Sequence, residues 1–151
     1  MTDLRKKCVL LVEDNPDDAR LALAALRGNR IVNEVVVARD GEEARDYIFG
    51  MGCHEGRDVA DCPQLVVLDL KLPKIDGLDV LRRMRADDRT RFVPVVVLTS
   101  SAEEEDVIRS YRLGSNSYIR KPIDFEEFLK AVQQLTVYWL VLNEPPHLPA
   151  A

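Results

Sequence analysis

Apolar residues in this chain gather in short bare runs. Cys8 to Val12, Leu65 to Leu68 and Val95 to Leu98 contain almost no polar interruption, the pattern of strands covered on both faces inside a parallel sheet. Glu34 to Ala38, with three consecutive valines, predicts another strand, and a short one passes through Tyr118 and Ile119. Between the runs the spacing turns helical. Asn15-Pro16-Asp17-Asp18 opens a first helix with Ala19, Ala22, Leu23 and Leu26 on one face and Gly28 as a left-handed stop. Asp40 to Glu43 forms a variant capping box for a second helix through about Phe49, and Asp76 caps a third whose Val80, Leu81 and Met84 point inward. Ser101 with Glu104 predicts a capping box for a fourth helix that buries Val107, Ile108 and Tyr111 and stops at Gly114. Asp124 and Glu127 cap a last helix through about Leu142, with an inward stripe of Phe125, Phe128, Leu129, Val132, Leu135, Trp139 and Leu142.

The order is strand-helix five times over, which predicts an α/β, doubly wound parallel sheet with helices on both faces. At 151 residues the length suits one domain. We expect residues 1-143 to form it, with an extended last helix, and 144-151 to be a disordered tail. Gly50 to Pro63 has no periodicity and reads as a long surface loop. Three cysteines suit reduced thiols of a cytoplasmic protein, and Cys53-His54 with Cys62 matches no zinc spacing. A net charge of -5 disfavours nucleic acid as a partner. Arg82, Arg83, Arg85, Arg89 and Arg91 are expected on a solvated helix face and turn, and no segment suggests a signal peptide or a membrane span.

Parallel strands bring their carboxyl ends to one edge of the sheet, where open sheets bind ligands. The residues that follow the apolar runs are Glu13 and Asp14, then Asp69, Thr99 and Lys121. Three carboxylates so close repel one another, a cost that a divalent cation removes. Mg²⁺ suits such a site because it takes one or two carboxylates, keeps waters and leaves room for a phosphoryl oxygen. Asp69 is then a candidate nucleophile toward phosphorus, with Lys121 and Thr99 supplying charge and a hydrogen-bond donor to the transferring oxygens.

With these residues in place, the chain resembles the CheY-like receiver domains of bacterial response regulators. The likeness spans about residues 6 to 142. It rests on Val12-Glu13-Asp14-Asn15, on Leu68-Asp69-Leu70 with Leu72-Pro73 and Asp76-Gly77, on Val97-Leu98-Thr99-Ser100, and on Tyr118-Ile119-Arg120-Lys121-Pro122. It implies a flavodoxin-like (βα)5 fold with strand order 2-1-3-4-5 and a phosphorelay function: Asp69 accepts a phosphoryl group from a sensor histidine kinase or phosphotransfer protein. By the same resemblance Asp14 is a direct Mg²⁺ ligand, Glu13 an outer one and the backbone carbonyl of Lys71 a further one. Thr99 and Lys121 contact the phosphoryl group, Tyr118 is the aromatic that reorients on activation, and the Lys121-Pro122 bond is cis. Within the family the chain is most like the small regulators paired with bacterial and cyanobacterial phytochrome kinases. No output domain follows, so it is expected to act through protein contacts, and not as an enzyme beyond its own phosphorylation and dephosphorylation.

Two other readings of the strand-end residues remain. A Mg²⁺-dependent phosphatase or phosphotransferase could form an aspartyl phosphate on an external substrate, but such enzymes of the haloacid-dehalogenase type place a second acid two residues on, where Lys71 stands. A flavodoxin-like cofactor binder lacks a phosphate-cradling loop after the first strand. Finally, Val137, Tyr138, Leu140 and Val141 complete an apolar run through Leu142 with no solvent face. We expect this run to join two copies into a homodimer.

Overall fold

Successive strand residues point to opposite faces, so a bare apolar run can be buried only between two layers. The computed structural model describes residues 8–28, 32, 34–59, 61–100, 103–121, 124–144 and 146, with Phe125 described by its backbone alone. Its strands are β1 (Cys8–Val12), β2 (Glu34–Ala38), β3 (Leu65–Leu68), β4 (Val95–Thr99) and β5 (Ser117–Arg120). All pair in parallel, in the order β2-β1-β3-β4-β5. The helices are α1 (Pro16–Arg27), α2 (Gly41–Phe49), α3 (Gly77–Ala86), α4 (Glu104–Arg112) and α5 (Phe125–Val137). Among the described residues no helix is long and apolar enough to cross a membrane.

The strands divide their side chains between two cores. Val9, Leu11, Leu65, Val67, Val96 and Leu98 meet Ala22, Ala25 and Leu26 of α1 and Phe128 and Val132 of α5. On the other face Leu10, Val12, Val66, Leu68 and Val95 meet Ala44 and Ile48 of α2 and Val80, Leu81 and Met84 of α3. The caps at Asn15, Asp40, Asp76 and Asp124 all form through side-chain oxygens. In the second cap, the Glu43 carboxylate reaches back to the amide of Arg39.

Five expectations need correction. Gly28 ends α1 in a right-handed conformation, because its amide finds the carbonyls of Ala24 and Leu26 without a left-handed turn. The fourth helix starts at Glu104, with Glu103 in the N-cap position, so Glu104 is its first residue and not the third that a capping box needs; Ser101 lies outside the described residues, as do Pro122 and most of the expected tail.

The same helix buries Asp106 and Ser110, leaving Ile108 45% and Tyr111 51% exposed. Its inner side is polar because partners wait there: Lys71 Nζ lies 3.3 Å from Asp106, and the Ser110 and Ser115 hydroxyls are 3.2 Å apart. Arg85 is half-buried rather than solvated. It donates to the carbonyls of Gly114 (2.9 Å), Arg91 (2.9 Å) and Val93 (2.8 Å) and to Asn116 Oδ1 (3.2 Å), so α3 is stitched to both entrances of β4 and β5. The other arginines of that cluster do sit at the surface, Arg82 and Arg83 paired with Asp79, Arg89 with Asp87 and Arg91 with Asp88.

The fifth correction concerns the chain end. After Val137 the helix widens into a π-turn over Tyr138–Leu142, closed by the Asn143 amide on the Tyr138 carbonyl five residues back at 2.6 Å. The extra residue rotates the stripe: Leu140 turns into the core at 3% exposure, while Leu142 stands 68% exposed. Leu140 is therefore core rather than interface, and Leu142 is not inward.

The loop from residue 50 to 63 is also more organised than its composition suggests. It holds a 3-10 turn at Gly52–His54, and the Arg57 guanidinium caps the end of α2 on the carbonyls of Tyr47 (2.6 Å) and Ile48 (2.8 Å) while lying 4.4 Å above the Tyr47 ring.

Arg85 generates a prediction. Arg85→Ala takes this donor from the part-buried carbonyls of Gly114 and Val93 and removes the packing of a half-buried side chain, so we expect a loss of about 2–4 kcal/mol. Urea unfolding should show it as a lower midpoint at unchanged slope.

Candidate functional site: an acidic cluster around Lys121

Each ladder continues one residue past its strand before the chain turns away. The Glu13 amide donates to the Ala38 carbonyl and the Asp69 amide to the Val12 carbonyl, both at 3.0 Å, and the Lys121 amide donates to the Thr99 carbonyl at 2.7 Å. These bonds place Glu13, Asp69 and Lys121 side by side at the carboxyl edge. Close backbone packing holds the Asp69 loop there. A Cβ on Gly77 would lie 2.2 Å from the Asp69 carbonyl oxygen, and one on Gly41 would lie 1.8 Å from that of Ile75, so no side chain fits at either position.

The Lys121 ammonium is the centre of the group. It donates to Glu13 Oε2 at 2.6 Å, to Asp18 Oδ2 at 2.9 Å and to Asp69 Oδ2 at 3.4 Å. Glu13 Oε1 accepts from the Asn15 amide at 3.1 Å, and Asp69 Oδ1 from the Lys71 amide at 3.3 Å. Glu13 and Asp69 are buried; Asp14 is exposed. Burial pushes the Glu13 carboxyl up to about 7, opposed by its hydrogen bond from Lys121 and reinforced by the charge of Asp69. Burial works against the Lys121 charge too, yet the bonds to Glu13 and Asp18 and the charge of Asp69 hold its ammonium above the ordinary lysine range.

Carboxylate oxygens of Glu13, Asp14 and Asp69 all lie within 4.8 Å of one another, and among the described residues no other group of acids, cysteines or histidines is so placed. An all-oxygen donor set with one exposed member fits a hard divalent cation that keeps waters. The charge count points the same way, since a cluster with four carboxylates and one ammonium lacks positive charge.

Thr99, at the end of β4, is fully buried and stands opposite Arg120 in register. Tyr118 stands opposite Val97, half-buried against the small cluster of Leu70, Leu78 and Val97. The Lys71 side chain turns away from the acids to Asp106, so no acid occupies the position two residues beyond Asp69. The structure thus brings together Glu13, Asp14, Asp69 and Lys121, with Thr99 on the neighbouring strand end. Asp18 joins them unforeseen. In the sequence it reads as a helix-dipole acid, and only its position one turn into α1 hints otherwise.

A doubly wound sheet with acids and a lysine at its carboxyl edge defines a class of phosphoryl-handling α/β domain, and the comparisons narrow it. The family model described as the response regulator receiver domain matches residues 9–133. The chain belongs to this family, whose receiver domains are signalling proteins and generally not classical enzymes.

Response regulator Rcp1 of Synechocystis is 39% identical over 145 residues, 96% of this chain and 95% of its own length. The solved Mn²⁺-bound form of Rcp1 has a TM-score of 0.82 at 38% identity, covering 93% of this chain and 99% of that one. The phosphorylated cyanobacterial phytochrome response regulator RcpA gives 0.85 at 37% identity over 95% and 100% of the two chains. The bacteriophytochrome response regulator AtBRR is 50% identical, with a TM-score of 0.72 over 93% and 99%.

Proposed function

We propose that this response regulator takes a phosphoryl group on Asp69 from a phosphohistidine of a sensor histidine kinase of the phytochrome type, or of a phosphotransfer protein. The observation that carries this reading is the Lys121 ammonium held 3.4 Å from Asp69 beside an oxygen cluster suited to a divalent cation. An Asp69 oxygen attacks phosphorus, the bond from phosphorus to the histidine nitrogen breaks, and the imidazole leaves with the electron pair. Water later attacks the aspartyl phosphate, releasing inorganic phosphate and restoring the carboxylate. Asp14, Asp69 and the Lys71 carbonyl, with Glu13 as an outer ligand, would hold Mg²⁺, which would supply charge neutralisation for the transferring oxygens. Lys121 stabilises the charge on those oxygens, and the Thr99 hydroxyl donates to one of them.

The switch follows from the same contacts. Thr99 moves toward the phosphoryl oxygens, and Tyr118 turns into the space it leaves, altering the surface formed by α4 and β5. The target of that surface is a protein rather than nucleic acid, in keeping with the net charge of -5, and the site of action is the cytoplasm. Residues 1–143 act as the receiver unit, with 144–151 as its tail. Val137, Tyr138 and Val141 form an exposed apolar patch with Leu142, and a second copy covers it by two-fold contact.

Four measurements test these readings. Acetyl phosphate with Mg²⁺ should add one phosphate by intact mass, and Asp69→Asn should remove it; persistent labelling of that variant would move the acceptor elsewhere. In the same preparations Mg²⁺ should raise the melting temperature, and Asp14→Ala should remove most of the rise.

Thr99→Ala should still accept phosphate but show no phosphorylation-dependent change in its amide spectrum. A full spectral response in that variant would uncouple Thr99 from the switch.

Sedimentation of the wild type should give a dimer that the double variant Tyr138→Asp, Val141→Asp dissociates. A wild type that stays monomeric at high micromolar concentration would remove the support for self-association.

A further inference from the structure

Asp18 occupies the third position of α1, after the cap Asn15. An acid there commonly turns back to the amide of the cap residue. In this chain that amide is already given to Glu13 Oε1, and the Asp18 carboxylate reaches instead to Lys121, 103 residues away. Its neighbour Asp17 shows what an ordinary acid of this turn does. Asp17 is almost fully exposed and lies 3.9 Å from Arg20.

We propose that Asp18 is a positioning residue: it keeps the Lys121 ammonium beside Asp69 when a divalent cation occupies the neighbouring carboxylates. An ammonium has three donors, and here they go to Glu13, Asp18 and Asp69. Two of those acceptors belong to the oxygen cluster that fits the cation. A cation there draws on the same two carboxylates and repels the charge of Lys121 across a short distance. Asp18 stands outside that cluster. It is the acceptor that stays with the ammonium, and it does so from the rim of the site, 42% exposed against 11% for Lys121.

This inference rests on the assignment of Asp69 as phosphoryl acceptor, and the test separates the two. Asp18→Asn keeps the size of the side chain and the backbone amide bonded to Asn15, and removes the charge. Asp17→Asn removes an equal charge from the same helix turn without touching Lys121. The first readout is the ¹H–¹⁵N resonance of the Lys121 ammonium, visible while the group is held. In the wild type it should persist with and without Mg²⁺; in Asp18→Asn it should persist without Mg²⁺ and vanish on its addition.

The second readout is labelling by acetyl phosphate at saturating Mg²⁺. Loss of one charge-assisted contact to Lys121 should lower the maximal rate roughly tenfold. The half-saturating donor concentration should change little, and Asp17→Asn should match the wild type. An Asp18→Asn protein that keeps its ammonium signal in Mg²⁺ and labels within about twofold of wild type would overturn the proposal. So would an equal loss in Asp17→Asn, which would make the effect one of helix charge. A wild type that takes no label at all would instead sink the Asp69 assignment, and the ammonium signal would still judge Asp18.

Discussion

Charge crowding at one edge of the sheet is the constraint around which this domain is arranged. Parallel strands deliver Glu13 and Asp69 to adjacent positions, and the cores beneath exclude the water that would screen them. One ammonium, on the far end of the chain, answers three carboxylates. Removing a partner from such a buried group leaves an uncompensated charge, which costs more than the pair contributes. The arrangement therefore couples the N-terminal and C-terminal thirds of the chain. It also leaves the cluster short of positive charge, a property that suits it to a divalent cation.

Around that edge the helices are held in two different ways. Those on the two faces dock through apolar side chains, as Val80, Leu81 and Met84 do. The fourth helix docks through Asp106 and Ser110 and turns Ile108 and Tyr111 outward. Its clasp, Lys71, is the residue two beyond Asp69, so the loop that carries the site also grips this helix. A polar contact of this kind is lost and remade at less cost than a packed core, where interlocked side chains resist small shifts. The fourth helix and the Asp69 loop are thus in direct contact.

Much of this was legible in the residues. Bare runs such as Leu65 to Leu68 point to buried strands because they are β-branched or aliphatic and, bounded by turn residues, too short for a buried helix. Acids and caps after each run specify where the chain turns. That Asp69, Glu13, Asp14, Thr99 and Lys121 would come close together was legible because parallel connection forces strand ends to one edge, whatever the details of packing. The errors lie where helical periodicity is silent about partners. Ile108 and Tyr111 have the spacing of an inward stripe, but burial was decided by Lys71 and Ser115, distant in sequence. Arg85 looked like its solvated neighbours until carbonyls from the two loops before β4 and β5 were in reach.

What the sequence alone determined is the alternation of strands and helices, and with it the edge at which the chemistry gathers, because both follow from local pattern and the handedness of the connections. Tertiary structure decided the rest. It turned Leu140 inward and Leu142 outward, since one extra residue in a π-turn rotates every later side chain. It also drew Asp18 into the site, since a hydrogen bond between residues 103 apart depends on how α1 sits against the sheet and not on anything in the neighbouring residues.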